Sequence, residues 1–230
     1  MLLARRFRKE IDAALELDSR DVQALRDLLE FYVLAPGIIG GDTKKAEAIA
    51  QQIASIDVPE GYLAKARIAE LQKDRARQEA MLRRGADSQP FSYKAQMALA
   101  QFYSMPEHTD RAAAESLGRR ALTLDSGRVG AYCVLATIYA GQADWSALET
   151  LLSSAARAVP DDAAPYYRAA EQLLSDNREP ARAERYLRVY LAQEPEGNQP
   201  SAAEARAKLA LAVSAPARAR QNSARIGGAK

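Results

Sequence analysis

One phrase recurs down this 230-residue chain, each time where a helix would stop. It reads ALELDSRD at 14–21, IASIDVPE at 53–60, ADSQP at 86–90, ALTLDSGR at 121–128, ARAVPDD at 156–162 and LAQEPEG at 191–197. The break points Ser19, Val58, Pro90, Ser126, Pro160 and Pro195 are 39, 32, 36, 34 and 35 residues apart. A period near 34 is one helix-turn-helix unit, too small to bury an apolar face by itself, so such units must stack. Apolar residues between the breaks follow helical spacing: Leu25, Leu28, Leu29 and Tyr32; Leu99, Ala100 and Tyr103; Tyr132, Leu135, Ala136 and Tyr139; Tyr166, Ala169, Ala170 and Leu173. Each such first helix is followed by a second, marked by Ala46, Ala114, Leu148 or Ala183 and closed by proline or a polar residue. Composition agrees. With 48% hydrophobic residues there is enough for a core, and abundant alanine with only 7% aromatics suits closely crossing helices better than strands. The spacing predicts an all-α chain.

The first helices resemble the tetratricopeptide pattern of a large residue, then Leu-small, then Tyr. The stretch Tyr132 to Tyr139, followed by Gly141-Gln142-Ala143-Asp144-Trp145, carries the resemblance best. It covers about residues 2 to 195 and implies a right-handed superhelical solenoid of helix-turn-helix repeats with a C-terminal capping helix. The expected layout is a half repeat at 1–21, repeats at about 22–58, 59–92, 93–128, 129–162 and 163–197, and a cap at 201–213. Two units depart from the pattern. That from Pro59 to Pro90 has Lys65-Ala66 in place of Leu-small and Gln78 where alanine is usual. That from Val22 carries an insertion, Ala35 to Asp42, whose APG and GG turns are similar to those of bacterial tetratricopeptide proteins of unassigned function.

The two ends read differently. Residues 1–17 look like a second helix without a first, with Phe7, Ile11, Ala14, Leu15 and Leu17 on its apolar face. Either it is an unusual N-terminal cap, or the chain is a fragment whose upstream part, an export signal included, is missing. Residues 214–230 hold Arg218, Arg220, Arg225 and Lys230 and no acid, and lack apolar periodicity, which predicts a disordered basic tail. Setting those four cations aside turns the net charge from +2 to −2, so the body is close to neutral. No stretch approaches the roughly 20 consecutive apolar residues of a membrane span. The start, MLLARRFRKEIDAA, lacks the apolar segment of about 7 to 15 residues that a secretory signal needs. The expectation is a soluble chain without membrane insertion, cytoplasmic, or periplasmic if an upstream signal has been removed.

Residue types that carry chemistry are scarce. The single histidine, His108, sits in a polar insertion and reads as a loop residue, and the single cysteine, Cys133, lacks the base or cationic neighbour that would make a thiolate. No cluster of Cys, His and carboxylates has metal-site spacing. The turn Pro36 to Lys45 has glycines and lysines but not phosphate-loop spacing, and reads as a structural turn in which Asp42 or Thr43 caps the next helix. Asp161 with Asp162, and Glu194 with Glu196, fall at repeat junctions as caps. The expectation is a non-enzyme with no cofactor, no metal and no small-molecule substrate.

What remains is surface. The resemblance places the non-core faces of the first helices on a concave groove, namely Gln23, Arg26, Glu30, Leu63, Arg67, Glu70, Met97, Gln101, Cys133, Thr137, Tyr167 and Glu171. Tyr167, next to the core Tyr166, is expected to point away from the core. Such a mixed surface suits a peptide or protein segment, with apolar anchors for affinity and charges for register. Chaperone-tail binding in this family uses asparagine and lysine on these helices, and the asparagines are missing. An RNA-reading helical repeat is a second reading, disfavoured because the near-neutral body lacks a basic inner face. A repeat module of a larger envelope or secretion assembly is a third.

Overall fold

The computed structural model describes the backbone of residues 2–106, 109–195 and 199–227, with side chains for 6–106, 109–195 and 199–214. His108 lies outside the described residues, as do residues 228–230 of the expected tail. Among the described residues there are twelve α-helices, one 3₁₀ turn and no strand. They divide into two compact units, 1–105 and 106–230. The first holds α1 (Leu2–Leu17), α2 (Val22–Leu34), α3 (Thr43–Ile56), α4 (Val58–Leu71), α5 (Arg75–Asp87) and α6 (Tyr93–Ser104). The second holds α7 (Arg111–Leu124), α8 (Val129–Gln142), α9 (Trp145–Ala158), α10 (Ala164–Ser175), α11 (Pro180–Tyr190) and α12 (Ala202–Gly227).

Short polar side chains start these helices. Asp21, Asp42, Asp57, Asp74, Asp110 and Asp144 each accept backbone N–H bonds from the first turn that follows, and Ser92 does so for α6. Each cap is worth about 1 kcal/mol, because those amides have no partner within the helix. Three pairs share one connecting turn. Lys73, Ala143 and Asn177 take φ of 60°, 58° and 50°, and the next N–H bonds back to the carbonyl of Ala69, Tyr139 or Leu173. The α2–α3 connection differs because of the insertion: Gly37–Ile39 form the 3₁₀ turn, and Gly40 at φ 105° turns the chain towards Asp42.

In the first unit α2 packs on α3, α3 on α4, and α4 on α5, while α2, α4 and α6 lie side by side. Leu25, Leu29, Ala46, Ala50, Ile53, Ala64 and Ile68 form one buried cluster. Helices α3 and α4 approach so closely that a Cβ on Gly61 would lie 2.3 Å from the Ala54 Cβ. The unit that departs from the sequence pattern still forms its pair, because Ala64, Ala66, Ile68 and Ala69 supply the interior while the Lys65 ammonium rests 5.6 Å from the Tyr62 ring. In the second unit α8 carries no charged side chain and is flanked by α7, α9 and α10, the burial expected of a helix apolar all round. Helix α12 packs on α11 and α10. It runs on to Gly227, past the end expected at 213 and through residues where disorder is expected, in a stretch rich in the strong helix formers alanine and arginine.

A repeated tyrosine contact ties α2, α6 and α8 each to the helix before it, whereas α4 has Ala69 at that position. The Tyr103 hydroxyl of α6 donates to Glu79 of α5 at 2.8 Å, and the Arg83 guanidinium lies 5.5 Å from the Tyr103 ring. Thirty-six residues on, Tyr139 of α8 donates to Glu115 of α7 at 3.4 Å with Arg119 at 5.7 Å from its ring. At α1 the same contact is built with its charges exchanged: Arg8 lies 5.0 Å from the Tyr32 ring and bonds Asp12 at 2.9 Å. In the last pair Leu173 stands where the tyrosine would be, and Glu149 of α9 accepts Tyr186 of α11 at 2.8 Å instead. A hydroxyl bonded to a carboxylate is worth about 1 to 2 kcal/mol, so Tyr103→Phe is expected to lower stability by that amount. Tyr139→Phe, with the longer bond, should lower it by less than half as much, and paired urea melts of the two variants test the order.

Candidate functional site

The twelve residues expected in one groove divide between the two units. Eight belong to the first unit. There α2, α4 and α6 present a shared face whose charges are placed by the repeat period itself. Glu60, at the start of α4, is 6% exposed and sits between α2 and α6. Arg26 of α2 donates to it at 3.1 Å and Lys94 of α6 at 2.7 Å, so three residues spaced 34 apart make a ladder of alternating sign. Burying a carboxylate is unfavourable unless it is paired, and here both oxygens are. Further along the same face Arg67 forks onto Glu30 at 2.6 and 3.2 Å and reaches Glu70 at 2.6 Å. The Glu30 hydrogen bond, seconded by Glu70, raises the guanidinium's pKa against the lowering effect of burial. Leu63, three residues after Glu60 and four before Arg67 on α4, is partly exposed, Gln101 is exposed on α6, and Gln23 is exposed and bonds Asp27 at 3.0 Å.

Met97 does not belong to that surface. It is 5% exposed, because the stretch Ala95 to Ala100 of α6 is almost wholly interior. Tyr167 likewise points inward and not away from the core: it is 3% exposed, with its ring 5.1 Å from Tyr190 and Lys208 of α12 at 5.8 Å. Its neighbour Tyr166 is the partly exposed one.

In the second unit Cys133 and Thr137 are half-buried on α8, and the Thr137 hydroxyl donates to the Cys133 carbonyl at 3.1 Å. Glu171 accepts from Arg168 at 2.8 Å and forms an ion pair with Lys208 of α12 at 3.0 Å. Burial opposes its ionisation, but the hydrogen bonds from Lys208 and Arg168 outweigh that and hold its carboxyl below the usual value. The Cys133 thiol is pushed up to about 12, chiefly by burial, with Asp162 adding and Arg168 opposing. From an ordinary value of 9.0 this leaves about a thousandfold less thiolate at neutral pH. Alkylation of the native chain by iodoacetamide at pH 7.5 should therefore be slower than in urea by at least two orders of magnitude. Equal rates would show that the thiol is open to solvent.

Glu60 and Lys94 are the members of the charged face that the sequence reading omitted, although the 26, 60, 94 spacing with alternating sign was there to be seen. Among the described residues no group of three Cys, His or acidic side chains could hold a metal ion, and no helix is long and apolar enough to cross a membrane.

No family model matches the sequence, and no curated protein matches it. Among solved structures the chain is similar to YrrB, described as a TPR protein with an unusual peptide-binding site. The match has 13% sequence identity and a TM-score of 0.52, and it covers 90% of this chain and 97% of that one. Helix pairs at a period near 34 residues, a recurrent tyrosine at the end of the first helix and that structural likeness together give the chain the tetratricopeptide-type helical-repeat fold.

Proposed function

We propose that this chain is a non-catalytic interaction scaffold, and that the face shared by α2, α4 and α6 receives a peptide or protein segment. The observation that carries the reading is the charge arrangement on that face: Arg26, Lys94, Arg67, Glu30 and Glu70 are prearranged by mutual pairing, with the partly exposed Leu63 beside Arg67 on α4. Prearranged charges lose little freedom when a ligand docks, and alternating signs specify its register more than its affinity. Gln23 and Gln101 offer further polar contacts at the edges. In the second unit Cys133, Thr137 and Glu171 are a smaller candidate contact, since α12 already engages Glu171. The solved relative's description as having a peptide-binding site supports a peptide as ligand class.

The test compares the purified chain with Arg67→Glu as baits in lysate, eluates being identified by mass spectrometry. Arg67→Glu would place three carboxylates together, and a ligand held by this face should be retained at least tenfold less. A melt beside the parent confirms that the variant is folded. If both baits retain the same proteins in the same amounts, the face is not the binding surface.

A further inference from the structure

The second helices from α3 to α11 all carry glutamate as their fifth residue: Glu47, Glu79, Glu115, Glu149 and Glu184. Twice within a unit, the third residue of the next second helix is an arginine that reaches this acid. Arg77 of α5 donates to Glu47 at 2.5 Å, and Arg182 of α11 donates to Glu149 at 2.5 Å. The step from α7 to α9 departs from this pattern. Its third residue is Ala147, and Glu115 is bonded through Oε1 alone, by Arg119 of its own helix at 3.0 Å and by Tyr139 at 3.4 Å. Among the described residues Glu115 Oε2 has no partner. A carboxylate in this place can take more than one guanidinium, since Glu149 accepts from Arg185 as well as from Arg182.

The surface is open at that same step. A groove of about 570 Å³ lies between α7 and α9, lined by Leu122, Leu135 and Leu151, with Ser146 and Thr150 on its α9 side. Arg119, Tyr139 and Ala147 line it too, so it reaches the groups that hold Glu115. Its size is that of a site for one or two side chains or a small ligand. Asp144 also lines it and bonds the Ala147 amide at 3.0 Å. Setting Glu115 and Asp144 against Arg119 leaves one negative charge there, which favours a cation.

We propose that this groove receives an arginine side chain carried by a peptide segment of a partner protein. Its guanidinium meets Glu115 as Arg77 and Arg182 meet their acids within the chain, and apolar residues beside it rest on Leu122 and Leu151. The template for the occupant is thus the chain's own contact at the two steps where the arginine is present. A planar guanidinium fits a carboxylate by paired hydrogen bonds, which a lysine ammonium does not reproduce. The groove belongs to the second unit and shares no residue with the α2, α4 and α6 face, so the proposal is independent of that one.

Titration of the isotope-labelled full chain with the peptide acetyl-Ala-Leu-Arg-Leu-Ala-amide, followed by amide nuclear magnetic resonance, tests it. Saturable shifts are expected at Arg119, Ala147 and Thr150. The same peptide with citrulline in place of arginine keeps the shape and loses the charge, and should bind about tenfold more weakly or worse. Ala147→Arg supplies the absent arginine from within, so it should weaken peptide binding about tenfold or more while melting no lower than the parent. Glu115→Gln should weaken it in the same direction with the groove unchanged in size. Shifts that are absent or do not saturate at these amides would mean a solvated groove only and would overturn the proposal. So would equal binding of the citrulline peptide, or equal binding by Ala147→Arg.

Discussion

Gly61→Ala is expected to destabilise the first unit by about 2 kcal/mol or more, even though alanine is the better helix former by about 1 kcal/mol. The sign is what makes this informative. A Cβ at Gly61 would sit 2.3 Å from the Ala54 Cβ, 2.4 Å from its Cα and 2.7 Å from its nitrogen, and two of these three are backbone atoms that cannot turn aside. Helix α4 would have to lift from α3, loosening the cluster around Ile53 and Ala64. Ala54→Gly in the same chain should not restore stability, since it removes only the Cβ contact. Urea melts followed by circular dichroism decide it: a stabilised Gly61→Ala chain would mean that the two helices do not approach as described.

Ile53→Ala should have the larger effect, about 3 to 4 kcal/mol, because it opens a cavity where no neighbour can collapse. Ile53 is 0% exposed and lies among Leu25, Leu29, Ala50 and Ile68, contributed by three helices. Leu17→Ala removes a comparable amount of hydrocarbon from a residue 91% exposed and should change stability by less than about 0.5 kcal/mol. The difference between the two melts isolates burial from side-chain chemistry. Similar losses would contradict the interior placement of Ile53.

Periodicity made the helices legible, since break points such as Val58, Ser126 and Pro160 stand within two residues of the ends of α3, α7 and α9. The second residue of Leu-small, and the alanines of the second helices, mark where two backbones approach, and those constraints are local. The surface was less legible, and Met97 and Tyr167 show why. A 3.6-residue period says which side chains share a face of one helix, but not which later helix covers that face. Tyr167 is enclosed by Tyr190 and Lys208, more than twenty residues downstream. The tyrosine-carboxylate contacts were hidden for the same reason: Glu79 and Tyr103 are 24 residues apart, neither a helical nor a repeat spacing. The run of α12 past Val213 was missed because a lack of apolar periodicity was weighed above the helix propensity of alanine and arginine.

The alternating ladder of Arg26, Glu60 and Lys94 also bears on how the chain reaches its fold. Units of similar shape can stack on the wrong neighbour while folding, a characteristic failure of repeat proteins. Were α2 to skip α4 and dock on α6, Arg26 would face Lys94, two cations with no acid between them, whereas the proper neighbour offers Glu60. Apolar surfaces that fit almost equally well in either order cannot make that distinction. A few charges of alternating sign thus proofread the order of assembly, whatever they contribute to the stability of the finished stack.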